Sequence, residues 1–74
     1  MKAAQGFVRD LGPRRVGGVY RDGYWGTTYT VLAIEPSTGD WRGWEITIRR
    51  QDGTVARHST AWDPRRDRII QQPA

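Results

Sequence analysis

The sequence predicts an all-β chain, a small five-stranded barrel with one short helical turn before the last strand. Gly and Pro punctuate its 74 residues every few positions, as in compact proteins of short strands. Helical periodicity is absent beyond residue 15, while Tyr24 to Glu35 and Trp41 to Gln51 are rich in Thr, aromatic and β-branched residues. Tyr29 to Ile34 is apolar on both faces, which in so small a chain points to a strand curved around a barrel.

Residues 1–15 read as a mobile or loosely packed arm, because Gly12-Pro13 ends any element begun at Lys2 to Val8. Residues 16–74 form the barrel domain. Val16 to Asp22 is the first strand, with Gly17 and Gly18 where backbones approach closely. A turn at Asp22-Gly23 leads into Tyr24 to Glu35, and the cluster from Glu35 to Asp40 makes the next turn.

In the strand from Trp41 to Gln51, alternation puts Trp44, Ile46 and Ile48 on the core face. Strict alternation sends Trp41 outward, unless Gly43 sits in a bulge that turns both indoles inward. Asp52-Gly53 marks a hairpin. A two-residue loop would set Ile48 opposite Arg57 and bury a charge. A three-residue loop, with Gly53 in the left-handed position, pairs Ile48 with Ala56 and Ile46 with His58 and sends Glu45, Arg49, Val55, Arg57 and Ser59 outward. The expected core is therefore Trp44, Ile46, Ile48, Ala56 and Leu32. Asp63-Pro64 has the form of an N-cap and first-turn proline, starting one helical turn through Asp67. Arg68 to Ile70 is the closing strand.

A domain near this size buries only about 60% of the surface its unfolded chain exposes, so its core must be small. Four Trp, three Tyr and one Phe supply the bulk. The chain has no cysteine and one histidine, which excludes disulfides and thiolate metal sites and leaves no expected metal or cofactor. No apolar run has the length of a signal peptide core or a membrane span, so a cytoplasmic protein without a membrane partner is expected.

The order of these elements, over residues 16 to 71, resembles the Src-homology-3-like small barrels. The resemblance lies in architecture and carries no specific motif. The acidic, tyrosine-bearing signature with which peptide-binding members grip polyproline is absent here.

Twelve Lys and Arg against eight Asp and Glu give a net charge of +4 and a pI near 10.3. That balance favours polyanionic partners. Eleven of the twelve cations are Arg, the side chain that forks phosphate and stacks on rings, although GC-rich coding produces the same bias. With two Glu, one His and no Cys, no pair of titratable groups sits at a spacing that would set up acid–base catalysis, and a non-enzymatic module is expected. His58 reads as a core-edge residue with a backbone partner. The expected function is nucleic-acid binding through Arg42, Arg49, Arg57, Arg65, Arg66 and Arg68, with Trp25 and Trp41 as stacking rings. The alternative is a protein partner docking on the same aromatic-Arg patch or on a sheet edge.

Overall fold

The computed structural model describes residues 10–36 and 43–74. Five strands, β1 (Val19–Arg21), β2 (Thr28–Pro36), β3 (Trp44–Arg50), β4 (Val55–His58) and β5 (Arg68–Gln71), form one antiparallel sheet in the order β4-β3-β2-β1-β5. No ladder joins β4 to β5 among the described residues, so the hydrogen-bonded sheet is open at both edges.

The β3–β4 hairpin has the expected three-residue register. Ile48 pairs with Ala56 and Ile46 with His58, and Arg50 and Thr54 close the loop through Arg50 N–H to Thr54 O at 2.9 Å. Gly53 has φ +89°, a conformation in which any Cβ is strained. Asp52 Oδ1 accepts from the Thr54 amide (2.9 Å) and hydroxyl, and these bonds hold its carboxyl below the usual range. The register follows from burial: it leaves Ile46 and Ile48 inside and Arg49 and Arg57 in solvent.

Strand β2 bends at a bulge. Val31 pairs with Ile48 and Ala33 with Thr47, so Leu32 is an extra residue with no partner position on β3. The insertion switches parity: Tyr29 and Val31 face inward before it, and Ile34 packs against the core after it. Leu32, expected in the core, is instead 37% exposed. The apolar run on both faces is the mark of this switch, because each face serves as the inner one on one side of the bulge.

The inner face carries Tyr20, Tyr29, Val31, Trp44, Ile46 and Ile48, with Ala56, Ile34 and Trp62 against it. Gly43 has φ +80° just before the fully buried Trp44. Trp41 and Arg42 lie outside the described residues. Tyr20 fills the centre, and its hydroxyl accepts from Arg15 N–H and donates to Gln72 Oε1, both at 2.7 Å.

Residues 10–15 do not behave as a loose arm. Leu11 belongs to the core, and Trp62 N–H donates to Asp10 O at 2.8 Å. Arg14 is 4% exposed. Its guanidinium lies 5.2 Å from the Trp44 ring centre and 5.8 Å from that of Trp62, and donates to the carbonyls of Leu11 (2.9 Å), Asp10 (3.2 Å) and Thr60 (2.7 Å). One side chain thus ties the segment before β1 to the segment after β4. Residues 1–9 lie outside the described residues.

Candidate nucleic-acid interface

The first strand ends sooner, and the second begins later, than composition suggests. Tyr24 and Trp25 stand in a loop, because Asp22 organises the backbone after it. Asp22 Oδ1 accepts from the amides of Tyr24 (2.8 Å) and Trp25 (3.1 Å), while Gly26 N–H donates to Asp22 O and Asp22 N–H to Thr27 O. This is an Asx-type turn, in which a short carboxylate stands in for a backbone acceptor. It leaves Tyr24 71% and Trp25 74% exposed, ring centres 4.9 Å apart and edge to face.

The loop is pinned to the turn before β5. Asp63 caps that turn through Arg65 N–H to Oδ1 (2.9 Å), and Asp67 N–H closes it onto Asp63 O (2.8 Å). Asp67 then spans two segments, Oδ1 accepting from Gly23 N–H and Oδ2 from Asp63 N–H, each at 2.8 Å. Gly23 sits so close that a Cβ there would come within 2.2 Å of Arg66 O. The aromatic pair is therefore mounted on the turn that carries Arg65 and Arg66.

Two clefts flank Trp25. The larger, about 400 Å³, has Tyr29 and Ile48 as apolar wall and Asp22, Arg50 and His58 as polar groups. The smaller, about 270 Å³, lies between the Tyr24–Trp25 pair and Arg66, with Asp63 and Asp67 beside it. His58 is half-buried, its ring 6.2 Å from that of Tyr29. Its Nδ1 accepts from Thr60 N–H at 3.3 Å, the backbone partner expected for it. Burial, and then the nearby Arg14 charge, push His58 below the usual histidine range. With Nδ1 accepting from Thr60 N–H, the ring proton sits on Nε2. Burial likewise raises the Tyr29 phenol.

The expected site residues divide into two groups. Trp25 and Arg66 share the smaller cleft. Arg65 and Arg68 are neighbours, Arg68 Nη1 donating to Arg65 O at 3.2 Å. Arg49 and Arg57 lie on the outer face of the sheet, opposite the inner wall of the clefts, and β2 and β1 separate Arg49 from Arg68. Arg57 is also paired with Glu45 at 2.7 Å. The single face expected from sequence thus splits into an aromatic end and an outer sheet face.

Sequence reasoning missed Tyr24, Arg50 and Arg21. Arg50 was within reach: it shares parity with Ile46 and Ile48, which places it at the cleft end of the inner face. Arg21 stands directly opposite Arg68 across β1 and β5, a like-charge pair that costs a few tenths of a kcal/mol or more unless an anion lies over it. Only the strand order brings these two together.

Among the described residues no group of three or more His, Asp or Glu could hold a metal ion, and no helix is long and apolar enough to cross a membrane. The chain matches none of the family models, curated proteins or solved structures with which it was compared.

Proposed function

We propose that the protein is a small non-enzymatic module that binds nucleic acid, with a preference for single strands, through the aromatic end of the sheet. One observation carries the reading. Two adjacent rings, each more than 70% exposed and fixed by Asp22 and Asp67, stand between Arg50 on one side and Arg66 on the other. Two adjacent exposed rings make a contiguous apolar patch of the kind that marks an interaction site. Stacking on bases with cations on the flanking phosphates is the partner chemistry that suits both parts of the arrangement. Arg65 extends the basic side, and Arg68 with the Arg21 opposite it leads onto the outer face, where Arg49 offers a further phosphate contact.

We further propose kinship with the Src-homology-3-like barrels. The placement of β1 between β2 and β5, and the single helical turn before β5, support it.

The test is binding of a short single strand to the whole protein over a range of salt. Four phosphate contacts, from Arg50, Arg65, Arg66 and Arg68, give a log–log slope of about −3, and Arg66→Ala flattens it by about 0.7. Trp25→Ala weakens binding by about 1–3 kcal/mol and leaves the slope unchanged. Lys2→Ala, at the other end of the chain, is the control. A folded protein that binds neither single strand nor duplex at low salt refutes the proposal. It would favour a protein partner on the edge strands, where Val55 is 59% and Ile70 55% exposed.

A further inference from the structure

The larger cleft beside Trp25 has the makings of a selective pocket. Its volume of about 400 Å³ falls within the roughly 300–1,000 Å³ of small-ligand sites. Trp25 supplies an exposed ring at the mouth, while Tyr29 and Ile48, 5% and 3% exposed, form an apolar wall that packing holds in place. The polar groups are of two kinds. Arg50 and the Nε2–H of His58, whose Nδ1 is occupied by Thr60 N–H, offer donors. Asp22 offers an acceptor: its Oδ1 takes two backbone amides, and a carboxylate has lone pairs for about four bonds over its two oxygens.

A stack-accepting ring, an apolar wall, and donors and an acceptor together describe a site for a flat heterocycle read at its edge. We infer that the cleft takes one unstacked base of a single-stranded nucleic acid and favours a base whose exocyclic amine donates to Asp22, as in cytosine. The inference rests on the nucleic-acid reading of the same end of the sheet and adds selectivity to it. Cytosine presents an amine, then a ring-nitrogen acceptor, then a carbonyl, which complements Asp22 on one side and Arg50 with His58 on the other. Thymine in the same pose presents a carbonyl on each side of its one N–H, so that one of these oxygens faces the Asp22 carboxylate.

The experiment compares oligo(dC) with oligo(dT) of equal length at neutral pH and one salt concentration, for the wild-type protein and for Asp22→Asn. Asparagine retains an oxygen that can serve as Oδ1 for the loop amides and replaces the other with a donor. The wild type is expected to favour oligo(dC) about fivefold or more, and the ratio to fall to about one or invert in Asp22→Asn. The ratio is the readout, because loss of a negative charge strengthens binding of both strands. Equal wild-type affinities, or a preference that the substitution leaves unchanged, overturn the inference while the proposed function stands. Binding of neither strand overturns both.

A second measurement does not depend on how the variant folds. Cytidine 5′-monophosphate titrated into the wild-type protein should shift the resonances of Trp25, Ile48 and His58 more than thymidine 5′-monophosphate does. Equal shifts, or shifts confined to other residues, overturn the inference.

Discussion

Replacing Arg14 tests how the domain is held together. Arg14 is 4% exposed, and its guanidinium donates to three carbonyls and lies against two indole rings. Asp10 O also receives Trp62 N–H, so it retains a partner when Arg14 is lost. The carbonyls of Leu11 and Thr60 lose theirs. Each net hydrogen bond to a charged group contributes about 1.5–3 kcal/mol, and a desolvated cation–π contact about 2 kcal/mol. Against this stands the cost of burying the guanidinium, several kcal/mol, which truncation recovers. The balance puts Arg14→Met at about 3–5 kcal/mol less stable than wild type, although methionine fills much of the same volume. Urea denaturation followed by tryptophan fluorescence measures it, with an unchanged m-value as the sign that only stability has moved. A variant as stable as wild type would refute the reasoning: burial of the stem, and not the polar contacts, would then be what Arg14 contributes.

Three further outcomes follow from particular positions. Val31→Ala should cost about 1–3 kcal/mol in the same assay, while Leu32→Thr, at the bulge, should cost under about 1 kcal/mol; equal costs would place the bulge elsewhere. Gly53→Val should destabilise by about 1–2 kcal/mol through the strain of φ +89° alone, since no atom lies within 4 Å of the added Cβ, and Gly53→Asn should cost less; a stabilised valine variant would exclude the left-handed turn. His58 has a folded value below its unfolded one, so the unfolded state binds a proton first. Stability should be full above about pH 6.5 and decline as the pH falls from there toward the folded value. His58→Gln should flatten melting temperature against pH in that window, ahead of any acid loss from Asp52, which belongs below about pH 4. An unchanged profile would mean that the histidine is solvated.

Local chemistry made much of this sheet legible in the chain. Asp52-Gly53 and the need to keep Arg57 out of the core are enough to choose the hairpin register. Asp63-Pro64 is enough to place the last turn, since an N-cap oxygen and a fixed φ act within four residues. Alternation at Trp44, Ile46 and Ile48 settles which face is inner. These are short-range or period-two constraints, and sequence carries them directly.

Contacts between distant segments were decided only by the tertiary structure. Nothing near Arg14 announces that its partners are Thr60, Trp44 and Trp62, so a charged residue after Gly12-Pro13 reads as the end of an arm. The bulge at Leu32 is a matter of how β3 aligns with β2 on either side of it, Val31 with Ile48 and Ala33 with Thr47, and an apolar run cannot say which of its residues is extra. The candidate site divides in the same way. Exposure of Tyr24 and Trp25 depends on Asp67, more than forty positions away, accepting the Gly23 amide. Whether Arg49 stands beside Arg68 or has two strands between them depends on β1 lying between β2 and β5. Composition establishes that the chain is basic and aromatic; strand order and one bridging carboxylate decide which of those residues meet.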